Sequence, residues 1–285
     1  MRRFFRQGEA LFRLSRPINL LMIAATSLSA LLLVWFHTPE YKPPWNSWLG
    51  MIMSTLLIAA GGYWLNDVYD QPIDRINRPN RALWVARAGQ RLLISATLGA
   101  WLIGGLIGIF LPLEIALLHT GAIIMLAWYA RYGKRQGLLG NALIAALTGL
   151  VPWEVLLLTK RTVYAVDWMI PLAISFNFVR ELVKDAEDLP GDKTYGVSSL
   201  PSRISPLAWN RLLRGLWLFL MGLVFLPGLL QYIFWLKSPW LYFSTILVTT
   251  ILPLLWGLLE WGNYTSMSQL LKMSMIGGLL ALWTL

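Results

Sequence analysis

Leu56-Leu57-Ile58-Ala59-Ala60-Gly61-Gly62-Tyr63-Trp64-Leu65 runs without a break into Asn66-Asp67-Val68-Tyr69-Asp70-Gln71-Pro72-Ile73-Asp74-Arg75. The first half is apolar, has no period-2 alternation and continues a run that began near residue 48, so it reads as a helix that crosses a bilayer. The second half places three aspartates at the end of that span, where ionisable groups are costly and usually functional. Outside this stretch the composition agrees. Of 285 residues, 57% are hydrophobic and 13% charged, too few charges to cover a water-soluble surface. Apolar windows fall at 17–36, 48–66, 92–110, 113–130, 138–158, 168–186, 211–234, 240–259 and 268–285, with Trp, Tyr, Lys and Arg at their ends as interfacial anchors. The expected fold class is therefore all-α: a polytopic membrane protein whose nine transmembrane helices form one bundle, a single domain over 1–285.

Charge sets the expected orientation. With the amino terminus cytoplasmic, 20 of the 24 basic residues fall on inside segments, and the outside segments keep only Lys42, Lys160, Arg161 and Lys237. Nine spans then leave the carboxyl terminus outside. The first 15 residues mix Arg2, Arg3 and Arg6 with Phe4 and Phe5, which suits an interfacial amphipathic segment on an anionic leaflet. A net charge of +10 could indicate nucleic acid, but here it is divided among short loops beside apolar spans, so no nucleic-acid partner is expected. With no cysteine, disulfides, thiolate nucleophiles and iron–sulfur clusters are excluded, and His37 and His119 alone make a histidine metal centre improbable.

Acid is concentrated. Eight of the 14 acidic residues sit in two stretches, Asp67, Asp70 and Asp74, then Glu181, Asp185, Glu187, Asp188 and Asp192. Within 66–74 and 185–192, each copy has aspartates at positions 0, +3 and +7 and proline at +5, the sign of an internal repeat four spans apart. On a helix these positions share a face, and three converging like charges call for a multivalent cation, Mg²⁺ or Mn²⁺ by their hard oxygens. Pro72 and Pro190 place the last aspartate of each copy past a kink or at the start of a new short helix. Basic residues run alongside, including Arg75, Arg78 and Arg81, then Arg180, Lys184 and Lys193, with Arg131, Lys134 and Arg135 after the fourth span. Carboxylate-bound magnesium flanked by cations suits a diphosphate, and an apolar bundle below it suits a hydrocarbon tail. A prenyl diphosphate has that shape. Its allylic C–O bond can ionise to a carbocation shielded from water by aromatic walls, for which Tyr63, Trp64, Tyr69, Trp128, Tyr129, Phe176 and Phe178 are candidates.

Asn66 to Asp74 and Asp185 to Asp192 resemble the paired signatures of the UbiA superfamily of intramembrane prenyltransferases. The resemblance extends to Ser15-Arg16-Pro17-Ile18-Asn19, to Asp74-Arg75-Ile76-Asn77-Arg78-Pro79-Asn80-Arg81 and to Tyr129-Ala130-Arg131-Tyr132-Gly133-Lys134, and covers nearly the whole chain. It implies a nine-helix bundle whose two motifs face each other across a central cavity open to the cytoplasmic side, with a lateral opening to lipid and two Mg²⁺ ions bridging the diphosphate. Carried over residue by residue, Asn66, Asp67, Asp70, Asp74, Asp185, Asp188 and Asp192 form the metal set, with Asp70, Asp74, Asp188 and Asp192 as the catalytic acids. Arg75, Arg78, Lys134 and Lys184 hold the diphosphate, and Arg16, Asn19 and Tyr129 line the acceptor side or the cavity.

Residues 180–193 look most like the branch that alkylates geranylgeranylglyceryl phosphate to make ether lipids, although Gln71-Pro72 and Leu189-Pro190-Gly191 depart from the charged residues expected there. The implied enzyme joins a prenyl diphosphate to a lipophilic acceptor within a membrane, the cell or inner membrane, with no obligate protein partner. The competing acceptor is an aromatic quinone or homogentisate-type headgroup. A cation or metabolite transporter fits less well, because its acids would gather at the midplane. The CDP-alcohol phosphotransferases, which also use aspartates and Mg²⁺, have Gly after the second Asp where this chain has Gln71.

Overall fold

The computed structural model describes the backbone of residues 2–40, 42, 44–235 and 238–285, and the side chains of these residues other than 2–5, 134 and 135. All the regular structure among them is helical. The order is α1 (Arg2–Leu14), α2 (Pro17–His37), α3 (Trp45–Asn77), α4 (Pro79–Ala88), α5 (Gln90–Gly108), α6 (Leu113–Tyr132), α7 (Leu138–Thr159) and α8 (Tyr164–Glu187). There follow the short α9 (Leu189–Thr194) and α10 (Leu200–Arg203), then α11 (Pro206–Leu223), α12 (Leu226–Trp235), α13 (Trp240–Ile246), α14 (Leu252–Leu259) and α15 (Tyr264–Leu282). A π-helical turn, Leu247–Ile251, joins α13 to α14, so 240–259 is one continuous rod. Proline opens α2, α4 and α11, where its missing N–H is no loss.

Every apolar window of the sequence falls on helix. Among the described residues, seven elements are long and apolar enough to cross a membrane: α2, α3, α5, α6, α7, the α11–α12 pair and the α13–α14 rod. The windows 168–186 and 268–285 fall on α8 and α15, which are more polar. At 24 residues α8 is about 36 Å long, enough to cross. Its polar residues Asn177, Arg180, Glu181 and Lys184 line an internal cavity instead of facing lipid.

The core runs through α2, α7, α8, α11, α13 and α15, where Leu31, Val155, Val183, Trp217, Tyr242 and Leu271 are buried. Outward, Phe36, Phe110, Trp240 and Leu259 are exposed, the inversion of a soluble protein's surface. Small residues bring backbones together, as membrane helix packing requires. A methyl group on Gly149 of α7 would come within 2.6 Å of Ile174 on α8. Ser54 Oγ of α3 donates to the Gly104 carbonyl of α5 at 2.8 Å.

The prolines of the two acid motifs behave differently. In the second copy the expectation holds: α8 stops at Glu187 and Asp192 lies in the new helix α9. In the first, α3 continues through Pro72 to Asn77, so Asp74 stays in the same helix as Asp67 and Asp70. A single proline removes one hydrogen bond, to the Val68 carbonyl, and a 33-residue helix packed against α5 and α6 absorbs that loss.

Candidate active site

On α3, Asn66 and Asp70 stand one turn apart, and the Asn66 amide donates to the Asp70 carboxylate at 2.5 Å. Both line the central cavity. Asp67 points elsewhere. It is fully buried, accepting from Arg81 Nε and Nη2 at 2.9 Å each and from Arg16 Nη2 at 3.3 Å. Arg81 Nε also lies 3.9 Å from Asp74. The aspartate stripe is thus divided: Asp67 and Asp74 tie α3 to α4 and to the α1–α2 junction, while Asp70 faces the chamber. Burial, and then the nearby Arg16, lowers Arg81 below the ordinary arginine value, with Asp67 acting in the opposite direction. Burial is the largest single influence on Arg16 and opposes its charge, but Asp67, Tyr63 and Glu181 together outweigh it and the net shift is upward. Arg16 has left-handed backbone (φ 55°), a strained state for a non-glycine residue, and its guanidinium lies 4.7 Å over the Tyr63 ring.

The second motif meets the first through two residues that follow Asp74. Asn77 Nδ2 donates to the Asp188 carbonyl at 2.7 Å and Asn77 Oδ1 accepts from the Gly191 N–H at 2.8 Å. Arg78 Nη2 donates to both Asp188 carboxylate oxygens, at 2.8 and 3.0 Å. Gly191 is needed here, since a Cβ at that position would sit 2.6 Å from the Asn77 amide. This close approach explains the glycine that the sequence pattern left unexplained. Asp185 accepts from Asn141 Nδ2 of α7 at 2.7 Å. Glu181 accepts from Lys184 Nζ at 2.8 Å and from Arg180 Nη1 at 3.1 Å.

These groups head a cavity of about 240 Å³. Its polar end carries Asn66, Asp70, Arg78 and Asp188, together with Arg16, Asn19, Arg180, Glu181, Lys184 and Lys272. Below them Ile58, Ala59, Leu126, Leu147 and Val151 form an apolar wall. Of the sequence-predicted residues, Asn66, Asp70, Asp188, Arg78, Lys184, Arg16, Asn19 and Tyr129 reach this chamber, whereas Asp67, Asp74, Asp185 and Asp192 stand outside its lining. Arg75 is exposed, and the Lys134 side chain lies outside the described residues. Among the aromatic candidates, Tyr63 and Tyr129 line the wall. Trp64 instead donates to the Leu11 carbonyl, Tyr69 is exposed, Trp128 packs on Tyr132, and Phe176 and Phe178 belong to the core.

No cluster of three acidic or histidine side chains is poised for a metal among the described residues. What faces the cavity is a smaller donor set, the Asp70 and Asp188 carboxylates and the Asn66 amide. That set fits Mg²⁺, which is commonly held by one or two carboxylates and completed by water and substrate phosphate. Four residues that matter here escaped the sequence reading as site residues. Asn77 lay inside a quoted motif string; Arg180 was named only as a cation flanking the second motif, and Lys272 was counted only among the inside charges; Asn141 carried no signal, being a lone amide near the start of an apolar helix.

The sequence profile described as the UbiA prenyltransferase family matches residues 20–276. The chain belongs to this family. UbiA relatives similar to it include the digeranylgeranylglyceryl phosphate synthase of Korarchaeum cryptofilum, 30% identical over 275 residues that span 96% of this chain and 95% of that one. The synthase of the same name from Sulfurisphaera tokodaii is 35% identical over 158 residues, 55% of this chain and 56% of the relative. That of Thermococcus sibiricus is 30% identical over 186 residues, 65% of each chain. The match to these last two therefore spans less than two thirds of their lengths. Among solved structures, the apo structure of a UbiA homolog from Aeropyrum pernix K1 superposes with a TM-score of 0.67 at 14% identity, covering 96% of this chain and 95% of that one. A second, described as giving structural and mechanistic insights into digeranylgeranylglyceryl phosphate synthase in membranes, superposes with a TM-score of 0.66 at 22% identity, covering 98% and 99%. Both likenesses concern the fold.

Proposed function

We propose that this chain transfers a prenyl group from a prenyl diphosphate to the hydroxyl of a prenylglycerol phosphate, forming an ether within the membrane. The observation that carries the reading is that Asp70 of one motif and Asp188 of the other line the same chamber, which is polar at one end and apolar below. Magnesium, two ions by the resemblance and replaceable by manganese, would be held by Asn66, Asp70 and Asp188, and when bound it neutralises diphosphate charge and improves the leaving group. Asp67, Asp74, Asp185 and Asp192 act through the arginine, asparagine and backbone partners that fix the two motifs. Arg78, already bonded to Asp188, faces the departing diphosphate, with Lys184 beside it. The C1–O bond breaks, and its electron pair leaves with the diphosphate. The Tyr129 ring and the aliphatic wall shield the cation from water, while the Tyr63 face is already covered by Arg16. The acceptor oxygen then bonds to C1, and its proton passes to the released diphosphate.

A phosphate-bearing acceptor is favoured by cations beyond those serving the donor. Arg16, Arg180 and Lys272 line the head of the cavity, and the buried Nε atoms of Arg16 and Arg180 have no hydrogen-bond partner. Each is a donor waiting for an acceptor. Lys272 Nζ donates to Asn19 at 3.1 Å, which fixes its head at this end. In the membrane, we count α8 and α15 as crossing along with the seven apolar elements. That gives nine spans, a cytoplasmic amino terminus, an outside carboxyl terminus and a cavity mouth on the cytoplasmic side of the cell or inner membrane. α1 lies on that face, packed through Ala10 and Leu14 against Val85 and Ala88 of α4.

The test is product analysis with purified protein, Mg²⁺, labelled prenyl diphosphate and three acceptors: a prenylglycerol phosphate, its dephosphorylated form and a hydroxylated benzoate. The expected product is the phosphorylated diether alone, with Arg180→Gln raising the acceptor KM more than it lowers kcat. A prenylated ring as the main product would replace this acceptor assignment with the aromatic one.

A further inference from the structure

In the same cavity, at the level of α3 that lies 11 and 15 residues before Asn66 and Asp70, sits a buried polar cluster. His119 of α6 and Glu154 of α7 are both almost fully buried, with His119 Nε2 3.5 Å from Glu154 Oε1. Thr55 of α3 donates to Glu154 Oε2 at 2.8 Å and lies 3.2 Å from His119 Nε2, while His119 Nδ1 is 2.8 Å from Ser54 Oγ. Thr55, His119 and Glu154 all line the cavity. Ionisable groups at such a depth are expensive, and a purely structural tie between three helices has no need to face the chamber.

We infer that this cluster is the floor of the prenyl-tail chamber and sets the longest donor chain the enzyme accepts. The inference rests on the reading that the donor's diphosphate sits at the Asp70–Asp188 end. Along α3, Asn66 and Asp70 are 11 and 15 residues from Thr55, so the floor lies roughly 16 to 22 Å below the diphosphate end. Along α6, Tyr129 is 10 residues from His119, about 15 Å, which agrees. An extended chain advances roughly 1.2 Å per backbone bond, so four isoprene units of four bonds each span about 19 Å and five span about 24 Å. Four units fill the chamber. A fifth that continues along this axis pushes between His119, Glu154 and Thr55, where it separates buried polar groups from their partners and offers none in return. The same depth excludes Glu154 and His119 as bases for the reaction at C1.

The experiment measures kcat/KM for donors of three, four and five isoprene units. Replacing His119 and Glu154 together by alanine opens the floor without stranding their partners, since Thr55 Oγ1 keeps the Met51 carbonyl and Ser54 Oγ the Gly104 carbonyl. His119→Ala/Glu154→Ala is expected to raise the five-unit to four-unit ratio by about tenfold or more. Ala122, which lines the cavity about one turn nearer the diphosphate end, gives the converse. Ala122→Phe raises the floor and is expected to turn preference toward the three-unit donor. If wild type transfers prenyl groups and neither folded variant moves these ratios, the cluster is a structural tie and the inference is overturned. If wild type transfers none, the parent reading fails instead.

Discussion

Replacing Asn77 by alanine removes one of the two residues that join the acid motifs without touching any group placed at the reacting atoms. Two hydrogen bonds disappear, from Asn77 Nδ2 to the Asp188 carbonyl at 2.7 Å and from the Gly191 N–H to Asn77 Oδ1 at 2.8 Å. At about 1 kcal/mol net for each bond, folding loses about 2 kcal/mol, more where the partly buried backbone groups find no water. The kinetic loss is of similar size but has a different origin. Freed from Asn77, the start of α9 and the Asp188 carboxylate shift relative to Asp70, and a displacement near 1 Å costs about 100-fold in rate. Arg78 still holds Asp188, so the fall is expected in kcat more than in the donor KM. Asn77→Asp keeps an acceptor for the Gly191 N–H but sets a carboxylate against the Asp188 carbonyl, and is expected to be no better than alanine. The assays are steady-state diphosphate release in a lipid bilayer and thermal unfolding in mild detergent. A folded Asn77→Ala enzyme within about threefold of the wild-type kcat would refute the reasoning that this side chain aligns the motifs.

Arg81→Met leaves the buried Asp67 with Arg16 alone and should destabilise the protein by about 3–5 kcal/mol, whereas Asp67→Leu/Arg81→Met should recover most of that loss in detergent unfolding assays. Recovery of stability without recovery of activity would show that the pair positions Arg16 as well as anchoring α4. Gly191→Ala should reproduce the kinetic defect of Asn77→Ala, and the double variant should be no worse than either single, because one contact underlies both. Additive losses in that cycle would show that Gly191 matters for another reason.

The acid motifs were legible because carboxylates at the end of an apolar span have no cheap structural explanation, and two copies with one spacing are hard to reach by accident. The orientation of individual acids was not. Helical period puts Asp67, Asp70 and Asp74 on one face but does not reveal that Arg81, 14 residues beyond Asp67, claims it while Asp70 is left to the chamber. Proline reasoning succeeded at Pro190, where α8 was already ending and a new helix begins; at Pro72 no new helix begins, because a long helix packed on its neighbours tolerates one missing bond. The apolar windows located every long helix. They could not separate a helix facing lipid from α8, whose polar face is turned inward. His119 and Glu154 were invisible as a pair, being 35 positions apart on different helices and joined only by packing.

Asp70 and Asp188, from the two motifs, are proposed to serve one divalent-metal centre across one cavity. The direct measurement is the initial rate of diphosphate release against Mg²⁺ concentration in wild type, Asp70→Asn and Asp188→Asn. The account predicts that both variants fall by about 10²- to 10³-fold at saturating donor and require more metal to reach half of their own maximum. Either variant turning over at the wild-type rate with the wild-type metal dependence would contradict it.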